Sequence, residues 1–277
     1  MDNFIDIEKV RVLSIGILPK RREKYALVLQ SQENIDAILS LQDQVYAGLS
    51  QQERAYLLPK DRAFFEKHFL SGNIVLGVVH NNQLIAQSII VNPTDENPKS
   101  GMTDLHMKQV RPQDMSVLQG VVVDPNFRGN GLMSIMVAAW TVAAAQMGRK
   151  SAVAEVAAGN HYSWAVFLKE GLRIQSIGED KSDNTVLYNL YAPVKLLMKR
   201  ILKADFNKAA VRRGVRVSVS DLEQQQKFLL EGYKGIALDA GGAVYRVPES
   251  GKGGRAACFR RRHVLKFCRF LSEPFSR

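Results

Sequence analysis

Residues 121–136, VVVDPNFRGNGLMSIM, pass from a β-branched run to a helix through a glycine-bearing hinge. Val121–Val123 suits a buried strand, because β-branched side chains are stiff and pack well on a pleated surface. Asp124, Pro125 and Asn126 end that strand with turn chemistry. Leu132–Gln146 is rich in Leu, Met, Ala and Trp and reads as a helix. The hinge is therefore strand, loop, helix start, with no obvious capping side chain. The free N–H groups of a helix start and its dipole favour a phosphate or another anion there. Glycines let a ligand approach the backbone, and Arg128 adds a fixed positive charge. The plainer reading is a tight turn in an α/β core. No Lys-Ser or Lys-Thr follows the second glycine, and G-x-G-x-x-G is absent, so NTP and dinucleotide sites are disfavoured.

Around this hinge the pattern predicts strands at Val10–Leu18, Tyr25–Gln30, Asn73–His80, Gln83–Val91, Ser116–Val123, Ser151–Ala158, Arg173–Gly178 and Thr185–Tyr191. Helical spacing covers Glu33–Leu49, a broken stretch from Gln51 to Leu70 around Leu58-Pro59-Lys60, Leu132–Gly148 and His161–Glu170, the last stopped at Gly171. Asn81-Asn82 joins two β-rich runs as a hairpin turn. The expected fold class is α/β, a mixed sheet with helices on its faces. After Pro193 a small α+β extension follows: a basic helix Val194–Lys208, a strand Val215–Val219, a helix Leu222–Leu230 capped by Asp221, and strands Tyr233–Leu238 and Ala243–Val247. Ser250–Arg255 is a glycine-rich basic linker, and Ala256–Arg277 is arginine-dense. The domains expected are 1–193, 194–249 and a mobile tail, 250–277. No internal repeat is evident in the sequence.

Length and composition fit one large domain with an extension: 277 residues, 46% of them hydrophobic. No apolar run is long enough to span a bilayer, and MDNFIDIEKVRV lacks the order of a signal peptide, so the cytoplasm is the expected compartment. Cys258 and Cys268 form no C-x-x-C pair and have only His263 nearby, which argues against zinc or any other metal. The net charge is +11. Residues 1–195 hold twenty Lys/Arg and twenty Asp/Glu, whereas 196–277 hold eighteen and seven, so the whole excess sits in the tail. A neutral main domain makes nucleic acid an improbable main partner; the tail reads as a solvated surface or an electrostatic steering element.

The stretch VVVDPNFRGNGLMSIM resembles the acetyl-CoA-binding motif of the GNAT superfamily of N-acetyltransferases, Arg/Gln-x-x-Gly-x-Gly/Ala. Arg128 and Gly131 match, Gly129 gives the common Arg-Gly-x-Gly form, and Met133 departs at the final small position. Downstream, AEVAAGNHYSWAVFLKEGL resembles the family's next block, with Asn160, Ser163, Gly171 and Leu172 at the expected places. The resemblance spans roughly residues 25–191. It implies that the pyrophosphate of acetyl-CoA rests on the N–H groups of Arg128, Gly129, Asn130, Gly131, Leu132 and Met133. It implies that the pantetheine arm lies along Val121–Val123 and that a backbone N–H there steadies the oxyanion. Asn160 would contact the arm from the other side. It also implies direct attack of a neutral primary amine on the thioester, which needs a base and an acid near the sulfur.

Glu155, on the strand before Asn160, is the candidate base; the alternative is a strand residue paired with a surface cation. Where many members carry a tyrosine acid this chain has Phe167, so Tyr162, His161, water or the thiol's own acidity would fill that role. His106 reads as structural or solvated. Trp140, Trp164, Met133 and Met136 read as helix core. The resemblance thus implies an acetyl-CoA-dependent N-acetyltransferase acting on a small-molecule or peptide amine, with a homodimer as an open option. The competing expectation, favoured by Phe167, is a non-catalytic acyl-CoA-binding or regulatory protein of the same fold. The acceptor is not legible; the helices of residues 33–70, the loop 92–115 and the extension would shape its cleft.

Overall fold

A computed structural model describes residues 3–98, 110–180, 183–203 and 214–246. The chain divides into two compact units. The first gathers the residues up to Asn92 with Leu118–Trp140. The second gathers Pro93–Val117 and the described residues from Thr141 on.

In the first unit β1 (Arg11–Ile17), β2 (Lys24–Leu29), β3 (Ile74–His80), β4 (Gln83–Val91) and the later part of β5 (Met115–Val123) lie side by side in that order. β1 to β4 are antiparallel neighbours. All seven residues of β3, IVLGVVH, are buried, as a strand covered on both faces requires. Asn81 and Asn82 have φ of 48° and 59°, the two positive values of a type I′ hairpin. α1 (Ile35–Ala47), α2 (Gln51–Arg54) and α3 (Arg62–Leu70) follow β2. α2 starts on a Ser50–Glu53 capping box, and the Asp61 carboxylate caps α3 at the Phe64 N–H. The Gln42 amide bonds both backbone groups of Lys60, which pins the break at Leu58-Pro59-Lys60 to α1.

In the second unit the order is β5, β6 (Ser151–Ala157), β8 (Thr185–Pro193), β7 (Arg173–Asp180), β10 (Lys234–Asp239), β11 (Gly242–Arg246) and β9 (Val215–Val217). Met115–Val117 of β5 pair parallel with Ser151–Val153; the other pairs are antiparallel. The sheet is therefore mixed, as expected. α4 (Leu132–Gln146) ends in this unit, followed by α5 (His161–Glu170), α6 (Val194–Lys203) and α7 (Leu222–Leu230). α5 ends at Gly171 in the left-handed conformation, with φ of 118°. The Arg149 guanidinium donates to the carbonyls of Pro93 and Gln113, each at 2.8 Å, and so ties the two ends of the loop before β5.

The extension does not stand apart. β10 pairs with β7, and the Tyr188 and Tyr245 hydroxyls donate to Gln225 Oε1 at 2.6 and 2.7 Å. Burial pushes the Tyr188 phenol up to about 12. No helix among the described residues is long and apolar enough to cross a membrane. The basic helix expected over Val194–Lys208 is described only as far as Lys203; the linker, the tail and His106 lie outside the described residues.

Candidate active site

β5 carries a glycine with φ of 56°, Gly120, immediately before Val121–Val123. A Cβ there would meet Ile89 Cδ1 at 2.7 Å, so the strand bends against β4 at a place only glycine accepts. Val121 and Val123 are half-buried and Val122 is buried. The buried Asp124 closes the strand. Its N–H donates to the Ile85 carbonyl, and its carboxylate accepts from the Asn126 N–H at 2.8 Å. A single 3-10 turn, Pro125–Phe127, then leads to Arg128, whose side chain is exposed.

Gly129 and Gly131 have φ of 78° and 73°. A Cβ on Gly131 would meet nothing within 4 Å, so the backbone there faces open space. Among the described residues none accepts a hydrogen bond from the N–H of Gly129, Asn130, Gly131, Leu132 or Met133. The loop is held from behind by the Asn130 side chain, which is 3% exposed. Its Oδ1 accepts from the Lys20 N–H and its Nδ2 donates to the Phe127 carbonyl, both at 3.0 Å. Asn130 therefore shapes the loop with its side chain and offers a ligand only its backbone.

The turn between β1 and β2 docks on this loop. Arg21 donates to the Asn126 carbonyl at 3.2 Å, and its guanidinium lies 4.3 Å from the Phe127 ring centre. The Lys20 Nζ comes so close to Gly129 that a Cβ there would clash with it. No carboxylate among the described residues pairs with Lys20. The Lys20 ammonium beside Gly129 and the loop N–H groups that have no acceptor among the described residues are a combination that can receive an oxyanion.

In the other unit Glu155 is half-buried on β6, in register with Asn189 of β8. Asn160 caps α5: its Oδ1 accepts from the Ser163 N–H at 3.2 Å. Tyr162 is 89% exposed, so its phenol stands in water rather than in a closed site. His161 lies edge-on to Trp164, whose ring N–H donates to the Ala158 carbonyl. Phe167 is 2% exposed and belongs to the core.

The acetyltransferase (GNAT) family model matches residues 36–172. These residues are a GNAT acetyltransferase domain. The domain makes the protein an acyltransferase, and acetyl transfer from acetyl-CoA is the general reaction of the group. No curated protein matches the chain significantly. Several solved structures are similar to part of the chain. The GNAT domain of S. lividans PAT has 16% identity and a TM-score of 0.48, covering 68% of this chain and 98% of its own. The ribosomal-protein-S18-alanine N-acetyltransferase of Escherichia coli has 14% identity and a TM-score of 0.46, covering 61% and 94%. The phosphinothricin acetyltransferase of Sinorhizobium meliloti, solved with AcCoA, has 13% identity and a TM-score of 0.46, covering 61% and 88%.

In this GNAT chain the sequence reading missed Lys20 and Arg21, which reach the glycine loop from far away in the chain. Lys20-Arg21-Arg22 read only as a basic turn; its one signal was charge. Among the described residues no cluster of three or more His, Cys, Asp or Glu side chains is placed to hold a metal.

Proposed function

We propose that acetyl-CoA binds along Val121–Val123 and over Arg128–Met133, and that this chain moves its acetyl group to a primary amine of a small molecule or peptide. The observation that carries this reading is the run of N–H groups from Gly129 to Met133 with no acceptor among the described residues, beside the Lys20 ammonium at Gly129. The fit is chemical. A pyrophosphate needs several converging donors and positive charge, and Gly131 leaves room for it to touch the backbone. When bound, acetyl-CoA supplies an activated acyl carbon.

This chain's residues then have separate tasks. The loop N–H groups and the Lys20 and Arg128 cations hold phosphate, and backbone N–H groups of Val121–Val123 face the acyl oxygen. The Asn160 Nδ2, which its capping bond leaves over, holds the cofactor arm. Glu155 takes the proton that an ammonium acceptor must lose before it can attack. The return of a proton to sulfur is assigned to water, because Phe167 has no proton to give and Tyr162 stands in solvent. A cytoplasmic setting, catalysis by residues 1–193, a walling role for 194–249 and a separate basic tail, 250–277, complete the reading.

A second reading keeps the binding and drops the chemistry. It starts from Phe167, which is buried and has no proton to give at the usual acid position; that residue alone does not separate the two readings. Calorimetry of the full chain with acetyl-CoA, beside thiol release with a panel of amines, separates the two. Binding with amine-dependent thiol release supports the transferase, and binding with no release from any amine supports the second reading. A folded chain that does not bind acetyl-CoA removes both.

A further inference from the structure

The half-domain β6-α5-β7-β8 occurs twice. Its second copy is β9-α7-β10-β11, so the expectation of no internal repeat is corrected. In the first copy the strands lie in the order β6-β8-β7, and in the second in the order β9-β11-β10. The pairings are antiparallel in both. The correspondence holds residue by residue, without a gap, from Ala154–Gly178 to Val215–Asp239. Asn160 becomes Asp221, and each caps its helix at the third residue on, Ser163 and Gln224. Gly171 becomes Gly232, and each has positive φ after its helix. The register slips between Ile174 and Ser176 in one copy and between Gly235 and Ala237 in the other, which are the same positions. Phe167-Leu168 and Phe228-Leu229 coincide as well.

The two copies meet across β7 and β10, the equivalent strands, which pair antiparallel at Ile174 and Gly235. The helices exchange neighbours in the same way: α5 packs on β10 and α7 on β7. Exchange of neighbours and antiparallel pairing of like edges are the marks of an isologous two-fold contact. Here both halves of that contact belong to one chain. The copies have also diverged in chemistry. The counterpart of Glu155 is Arg216, which is paired with Asp239 at 2.9 Å.

We infer that residues 214–246 take, within the chain, the place of a two-fold related partner at the β7 edge. An uncovered strand edge presents a row of unpaired N–H and C=O groups and recruits another strand. The second copy pairs with β7 at Ile174 and, among the described residues, leaves as the edge β9, three residues long and carrying the charged Arg216. That edge is too short and too charged to recruit a further strand. The chain therefore does not pair with another copy along β7.

A disulfide trap tests this in the full chain with Cys258 and Cys268 replaced by Ser. Ile174→Cys and Gly235→Cys are introduced together. The first change removes the Cδ1 and Cγ1 atoms that a Cβ at Gly235 would meet at 2.8 and 3.1 Å; the Cβ of residue 174 stays, 2.9 Å away, so the two strands must part by roughly 1 Å to reach the Cβ–Cβ distance of a disulfide, about 3.5–4.5 Å. Mild oxidation followed by non-reducing electrophoresis, thiol titration and light scattering gives the readout. The expected product consumes both thiols and keeps the mass of one chain, close to 31.0 kDa. Ile174→Cys alone is expected to stay uncrosslinked. A covalent dimer from either variant would show that another chain covers β7. Free thiols in a folded double variant would show that the extension is not on β7 in solution. Either result overturns the inference.

Discussion

Gly131 separates the chemistry of the loop from its shape. Its φ of 73° excludes most side chains, but Asn and Asp tolerate the left-handed region better than the rest. Gly131→Asn and Gly131→Asp therefore carry nearly the same backbone cost, about 1 kcal/mol, and the same bulk. A Cβ at this position meets nothing within 4 Å, so neither variant should clash with the protein. They differ in one charge. A carboxylate about 5 Å from a phosphate charge, at an effective dielectric of about 20, is repelled by about 3 kcal/mol. Screening by salt leaves about 2–3 kcal/mol, which corresponds to a roughly 30- to 150-fold difference in affinity. Calorimetric titration of both variants with acetyl-CoA measures it, and thermal melts confirm that both are equally folded. Equal affinities within about a factor of two would show that no phosphate rests on this loop, and the proposed cofactor site would fall with it.

Four further outcomes are expected. Lys20→Ala weakens acetyl-CoA binding by roughly five- to tenfold at low salt, about the value of one exposed charge-assisted contact, and the loss shrinks as salt is raised; an unchanged titration would remove Lys20 from the site. Glu155→Gln lowers kcat by on the order of 10²–10⁴ while acetyl-CoA affinity stays level, and wild-type turnover at every pH would exclude it as the base. His68 is buried with its Nε2 at 3.2 Å from the Ile74 carbonyl, and burial holds its imidazole below the ordinary value of 6.5. The neutral ring is the folded form, so its contribution is complete above about pH 6.5 and falls away as the pH drops toward the folded value. His68→Gln, which keeps a donor and does not titrate, should flatten urea stability across that window, and an unaltered slope would refute the assignment. Gln225→Leu strands two buried tyrosine hydroxyls and the Ser218 and Val219 carbonyls, so unfolding free energy should drop by about 2–4 kcal/mol in urea titration; a loss under about 0.5 would mean that water replaces the amide.

Those elements whose ends are written in local chemistry were legible in the sequence. Gln83–Val91, His161–Glu170 and Leu222–Leu230 have the expected bounds, because an Asn-Asn turn, a capping Asn or Asp and a terminal glycine mark them. The repeat was not legible. The two copies share Phe-Leu-x-Glu-Gly at 167–171 and 228–232 and little else, and the second hairpin is shorter, so the identity is too short to mark a repeat by itself. Trp164 and its counterpart Gln225 are both fully buried, yet one is an indole and the other an amide that bonds two tyrosines. Patterning detects apolar faces and cannot see a buried amide whose partners lie on other strands. The same holds for Arg149, whose partners are backbone carbonyls distant in sequence, and for Lys20, 110 residues from Asn130.

The second copy also acts as an internal control on the site, because whatever recurs there is explained by folding alone. The helix cap recurs as Asp221, so the position of Asn160 needs no cofactor to account for it. What Asp221 lacks is a donor. A cofactor role for Asn160 must therefore rest on its Nδ2, and Asn160→Asp, which keeps the cap, removes only that. Phe167 recurs as Phe228, which packs on Tyr233 and Tyr245. A phenylalanine in both copies is a packing residue, and its presence at the usual acid position then says little about whether the reaction runs. Glu155 does not recur. Its counterpart Arg216, on β9, bonds Asp239 of β10 and serves the extension's own stability. Glu155, half-buried on the equivalent strand, has the opposite charge, so the copy assigns it no shared task, and the Glu155→Gln variant decides whether its task is chemical.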